Sequence, residues 1–301
     1  MTVAASAPGK IVLSGEYAVL WDSPAVCMAV NRRAVATVSP SEDGECRLET
    51  PGFDGMDRYR VLDALLEGER PANRYTLDTT AFFDDGRKTG IGSSAALTVA
   101  LAAAISGSAD VADTAMAAHR RLQGGQGSGV DVAAAVYGGL IEYTRADAQV
   151  RPLRWPEGLA YRVIWTGVPA STERQLAKLA AAAGGYSRSA LLLAAPRMSE
   201  AWRTGDATSV LEEYVPYIGV LRQFSIDHDL GIFDAGHEEL TDAAMVDGLV
   251  YKPAGAGGGD IGVLFGSSDA DLDAFLQRHA RLVNGVLECE LDPSGVRLEA
   301  T

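Results

Sequence analysis

The sequence predicts an α+β protein. Strand-like and helix-like segments mix in both halves of the 301 residues without a regular strand–helix–strand beat. No repeat of 20–50 residues is visible. Hydrophobic residues make up 47% and charged residues 22%, an ordinary globular profile, on a chain long enough for two domains or one large one.

Taken in order, Ser6-Ala7-Pro8-Gly9-Lys10 leads into Ile11-Val12-Leu13, and apolar or alternating runs follow at 25–30 and 33–38. These predict short strands, punctuated by turns at Pro8-Gly9 and Asp22-Ser23-Pro24. Residues 39–58 are polar and glycine-containing and predict a hairpin and loop. Val61, Leu62, Leu65 and Leu66 share one face of a short helix over 59–66. Helices are predicted over 95–106 and 111–123, with a strand over 138–143. Arg151-Pro152-Leu153-Arg154-Trp155-Pro156 marks a composition shift, which predicts a division into domains 1–153 and 154–301. Beyond it come a strand at 161–165, helices at 171–183, 186–203, 206–228 and 234–247, a strand at 261–265, a helix at 269–283 and a strand near 286–291.

The net charge of −14 argues against a nucleic-acid or anionic-membrane partner. There is no 18-residue uncharged apolar run, and the first residues carry no basic segment, so no membrane span or signal peptide is expected. Cys27, Cys46 and Cys289 are scattered and lack metal spacing, which predicts reduced thiols and a cytoplasmic location. His119, His228, His237 and His279 show no metal spacing either and are expected at the surface or in packing.

A glycine- and serine-rich turn is the strongest local signal: Lys88-Thr89-Gly90-Ile91-Gly92-Ser93-Ser94-Ala95-Ala96, running straight into an apolar helix. Small residues admit a ligand to the backbone, and the unpaired N–H groups and dipole of a helix start favour an anion. The competing interpretation is a serine-capped helix start without a ligand. Lysine is rare, with only Lys10, Lys88, Lys178 and Lys252, yet Lys10 and Lys88 stand inside glycine-rich motifs and Lys252 directly precedes one.

Three such motifs occur in order: Pro8-Gly9-Lys10 with Gly15-Glu16-Tyr17-Ala18-Val19, the 88–96 turn, and Gly255-Ala256-Gly257-Gly258-Gly259-Asp260 before an apolar strand. The third motif alone also reads as a mobile linker. G-x-x-x-x-G-K-[ST] is absent, so this is no Walker loop. The ordered set resembles the GHMP kinase family of small-molecule kinases, over nearly the whole chain. Within it, Gly15-Glu16-Tyr17-Ala18-Val19 and the stretch Gln123-Gly124-Gly125-Gln126-Gly127-Ser128-Gly129-Val130-Asp131 are similar to the phosphomevalonate kinase branch, although Gln126 stands where that branch often has lysine.

The resemblance implies a GHMP kinase fold: an N-terminal half like domain 2 of ribosomal protein S5, a C-terminal ferredoxin-like α/β plait, and an active site between them. It implies ATP and Mg2+ as cofactors, and transfer of the γ-phosphoryl group to (R)-5-phosphomevalonate. Other GHMP kinases, such as mevalonate kinase, a sister decarboxylase and a non-catalytic ligand-binding regulator are the rival readings; a monomer or homodimer is expected. By resemblance, Lys10 and Asp131 pair at the acceptor as the catalytic residues. Lys88, Gly90, Ile91, Gly92, Ser93, Ser94 and Ala95 bind ATP, with Ser93 and Ser94 the magnesium contacts. Lys10, Glu16, Tyr17, Ser128, Gly129, Asp131, Lys252, Gly257 and Gly258 bind substrate, with Arg32 a further candidate. The acidic magnesium ligand of mevalonate kinases has no counterpart on the helix Ala118-His119-Arg120-Arg121-Leu122-Gln123.

Overall fold

The structure is a computed structural model that describes residues 1–51, 58–181 and 185–300. In chain order its elements are β1 (Val3–Ser14), β2 (Ala25–Pro40), β3 (Arg47–Glu49), α1 (Arg58–Leu66), β4 (Asn73–Asp78), β5 (Phe83–Asp84), β6 (Arg87–Lys88), α2 (Ser93–Ser106), α3 (Ala112–Leu122), α4 (Val130–Tyr137) and β7 (Leu140–Thr144). Then follow β8 (Gln149–Leu153), β9 (Ala160–Trp165), α5 (Thr172–Ala181), α6 (Tyr186–Thr204), α7 (Ala207–Asp227), α8 (His237–Val246), β10 (Val250–Pro253), β11 (Ile261–Gly266), α9 (Asp269–Arg278), β12 (Gly285–Leu287) and β13 (Arg297–Glu299). The predicted helices at 59–66, 95–106 and 111–123 recur within a few residues. The two runs at 25–30 and 33–38 form one continuous strand rather than two. Parts of the loop predicted at 39–58 and of the helix predicted at 171–183 lie outside the described residues.

The chain divides into two compact units. One comprises Met1–Ile11, Cys27–Ile141 and Glu290–Thr301; the other comprises Val12–Val26 and Glu142–Cys289. This differs from a cut at 153/154, because the last strand returns to the first: β13 pairs antiparallel with β1, Ala4 opposite Glu299.

The first unit is built on a sheet in the order β13-β1-β2-β4-β3. β2 and β4 are antiparallel, Val35 opposite Asp78, and β3 joins β4 in parallel. α2 is apolar all round: Ala95, Ala96 and every residue from Val99 to Ala104 is buried. Such a helix belongs in the middle of a core. It packs among α1, α3, α4, β4 and β13, and Leu62, Tyr75, Leu77, Ala115 and Val132 complete the cluster.

In the second unit the sheet order is β10-β11-β9-β12, all antiparallel. Four helices connect β9 to β10, a tight connection joins β10 to β11, and α9 leads to β12. That is the βαββαβ order of a ferredoxin-like plait. Ile164, Leu240, Tyr251, Leu264, Leu272 and Phe275 form its core between the sheet, α8 and α9.

Candidate active site

In the first unit the 88–96 turn is the N-terminus of α2. Gly92 is the N-cap at φ 86°, a left-handed conformation that favours glycine. The first bond of the helix runs from Ala96 N to Gly92 O, so the amides before Ala96 have no partner from it. Lys10 is laid across this turn. Its backbone N–H donates to Ile91 O at 2.8 Å. A side chain on Gly92 would meet Lys10 Cγ at 2.8 Å and Cε at 3.0 Å. The glycine therefore serves twice, accepting positive φ and letting the lysine stem pass against the backbone. Ser93 is buried and Ser94 exposed; among the described residues neither hydroxyl has a protein partner, whereas Thr98, one turn on, donates to Ser94 O at 2.8 Å. Ile91 and Ala95 are wholly buried and shape the turn from within, and Gly90 is half-buried.

Asp131 lies in the first turn of α4, behind the N-cap Gly129. Its carboxylate is favoured there by the helix dipole. Ser128 Oγ accepts from Val130 N at 3.4 Å at the same turn. Lys10 and Asp131 are half-buried and both act on His119, which is 2% exposed on α3. Burial lowers the proton affinity of His119, Asp131 opposes that effect and Lys10 adds to it. Lys10 and Asp131 are not within ion-pairing distance of each other among the described residues, so the pair implied by resemblance is not a direct contact here. His119, expected at the surface or in packing, is a buried residue of α3.

Lys88 departs from the turn. It is exposed on the small β5–β6 hairpin, opposite Phe83. Thr89, next to it, is buried and donates to Phe82 O at 2.9 Å, which anchors the turn rather than a ligand. Arg32 Nη1 reaches toward Ala81 O at 3.4 Å.

In the second unit, several candidates for substrate contact are instead tied to one another. Lys252 has none of its surface exposed, and its ammonium is ion-paired with Glu16. Glu16 also accepts from the Tyr217 hydroxyl at 2.9 Å, and that hydroxyl accepts from Gly15 N at 2.8 Å. Two buried opposite charges satisfy each other because each alone would be costly in this interior. The expectation of a ligand-facing Lys252 is thereby corrected. Tyr17 is buried and donates to Ala256 O at 2.5 Å; burial and then Glu16 push its phenol well above the usual range. Gly257 and Gly258 lie in the connection between β10 and β11. There Gly258 N donates to Ile232 O at 2.8 Å.

A helix N-terminus crossed by a lysine can hold and neutralise a phosphate chain, and a carboxylate at the start of a second helix can orient a neighbouring donor. Comparison with known proteins agrees. Residues 60–139 match the sequence model of the GHMP kinases N terminal domain. The phosphomevalonate kinase of Streptomyces sp. is 30% identical, over 97% of this chain and 97% of that protein. The mevalonate kinase of Methanothermobacter thermautotrophicus is 35% identical over 50% of this chain and 53% of that protein. Among solved structures, Streptococcus pneumoniae phosphomevalonate kinase in complex with phosphomevalonate and AMPPNP has the same fold, with a TM-score of 0.78 over 98% of this chain and 99% of that chain at 18% identity. The chain belongs to the GHMP kinase family, whose members are phosphotransferases.

Proposed function

We propose that the protein transfers the γ-phosphoryl group of ATP to (R)-5-phosphomevalonate, giving ADP and 5-diphosphomevalonate. The observation that carries this is the likeness, along essentially the full length of both chains, to a phosphomevalonate kinase. A likeness to a mevalonate kinase along half of the chain makes mevalonate the second reading for the acceptor.

An oxygen of the acceptor phosphate forms the new bond to the γ-phosphorus as the bond to the β-phosphate oxygen breaks, and the electron pair leaves on ADP. The transition state is loose, so positioning and charge neutralisation do most of the work. The free amides at the start of α2 and the hydroxyls of Ser93 and Ser94 hold the triphosphate. Lys10, fixed over Gly92, meets the charge on the transferring group. The acceptor monoester has a second pKa of about 6 and is already mostly dianionic at neutral pH, so a base is scarcely required. Asp131 then orients the acceptor, and Lys10 only through it, rather than removing a proton. The donor set suits Mg2+, which keeps several waters and would rest on a serine hydroxyl and phosphate oxygens. When bound, the ion neutralises charge on the bridging phosphates. Glu16 and Lys252 take a structural part, locking the segment after β1 to β10.

The test is ADP release by purified protein with ATP and Mg2+, with phosphomevalonate and mevalonate assayed side by side. Turnover at least a hundredfold faster on phosphomevalonate is expected. Preference for mevalonate moves the chain to the second reading.

A further inference from the structure

The connection between β10 and β11 has an unusual backbone. Gly255, Gly257, Gly258, Gly259 and Asp260 all have positive φ, from 54° at Asp260 to 151° at Gly259. Glycine permits such a path but does not select it, because a glycine chain has many others of similar energy. Something must hold the loop. Ala254 N donates to Ile261 O at 3.0 Å and closes its base. Asp260 N donates to Val168 O at 2.7 Å, and Asp260 Oδ1 accepts from Ala170 N at 3.1 Å. Tyr17 and Ile232 hold Ala256 and Gly258, as described above.

Thr166 N and Oγ1 donate to Asp260 O at 2.9 and 3.1 Å. A further restraint is a side-chain pair that the mechanism above does not use. His237 opens α8 and is 0% exposed. Its Nε2 lies 3.0 Å from Gly259 O, and its Nδ1 lies 2.8 Å from the Tyr251 hydroxyl. A carbonyl only accepts, so Nε2 carries the proton, and Nδ1 must accept from the tyrosine O–H. One neutral tautomer thus satisfies both nitrogens, and the wrong tautomer leaves two buried bonds unmade. Tyr251 is itself fixed: its hydroxyl sits where a side chain on Gly262 would come within 2.2 Å of it. The pair therefore presents a single donor, at a fixed height, to the carbonyl of Gly259.

We propose that His237 and Tyr251 form a positioning pair that sets the Gly259 carbonyl, and through it the path of the 255–260 loop, for the phosphoryl-transfer reaction. This rests on the kinase reading proposed above and on the resemblance that implies substrate contact by Gly257 and Gly258. Without the pair the native path is one of several, and only the fraction of molecules holding it binds productively. A loss of that kind raises KM in proportion to the lost fraction and leaves kcat nearly unchanged.

The experiment uses the full chain with His237→Ala, His237→Gln and Tyr251→Phe. It measures amide hydrogen exchange across 254–262, steady-state kinetics and the thermal transition of each. In His237→Ala, exchange in the loop is expected to quicken at least tenfold. KM for the phosphorylated acceptor should rise about tenfold with kcat within twofold. His237→Gln, which puts an amide donor near the place of Nε2, should recover most of both. Should His237→Ala fail to fold, Tyr251→Phe, which removes one oxygen, decides by the same readouts, with about threefold effects expected. A folded variant with the wild-type exchange pattern overturns the proposal. So does one with faster loop exchange but unchanged KM and kcat, since the loop would then be held by the pair without serving the reaction. If wild-type protein turns over neither acceptor, it is the kinase reading that has failed; exchange alone still judges whether the pair holds the loop.

Discussion

Lys10 and Asp131 are far apart in the chain, and the charges of both act on His119. Their proposed roles differ, and so should their variants. Lys10→Met removes the positive charge next to the transferring group and should lower kcat by roughly 10²–10³. Asp131→Asn keeps the shape and loses only orientation, so a loss of about tenfold is expected, with no carboxylate limb in the pH–rate profile. Equal losses, with such a limb, would make Asp131 the base. Both residues are candidates in the sequence because each stands beside glycines in a short motif. Lys88 was legible in the same way as a lysine next to the turn, and it stands exposed on β6.

At the scale of elements, the Lys252–Glu16 pair joins β10 to the segment following β1, two stretches far apart in the chain. Lys252→Met alone strands a buried carboxylate and should destabilise the fold by roughly 3–5 kcal/mol. Adding Glu16→Gln removes that charge and should recover a good part of the loss, because an amide can still accept from Tyr217. Urea unfolding of the two variants checks this; a double variant no more stable than Lys252→Met would show the pair to be unimportant. Elements with long patterns were readable in advance: the apolar run of α2, the amphipathic α1 and the helices from 186 to 247. β4 was not, since it holds only two apolar residues, Tyr75 and Leu77, although Arg74-Tyr75-Thr76-Leu77-Asp78 alternates and both point inward. β10 and β13, at four and three residues, are too short to carry a period.

For the whole molecule, the α+β class and the plait of the second unit were expected and are present, whereas the composition of the units was not foreseeable. Nothing local in a sequence says that Leu298 will lie opposite Ala5. Charge burial also acts at this scale. Burial holds His237 at about 4, below its ordinary 6.5; the Gly259 carbonyl and Asp234 pull it up and Lys252 pushes it down. The unfolded chain therefore binds a proton between pH 6.5 and 4 that the folded chain refuses. The stabilisation is complete above pH 6.5 and falls as the pH drops toward 4, by roughly 3 kcal/mol in all. Urea midpoints at pH 7 and pH 4.5 should fall further for the wild type than for His237→Gln; equal falls would remove His237 from the acid response.

In the proposed reaction a phosphate, not an alcohol, receives the transferred group. Phosphorus NMR of purified protein with ATP, Mg2+ and phosphomevalonate tests it at the bond formed. The prediction is that the monoester resonance is consumed and two coupled diphosphate doublets appear alongside those of ADP, in equal amount. An unchanged monoester with phosphomevalonate, together with a new monoester when mevalonate is supplied instead, would contradict it.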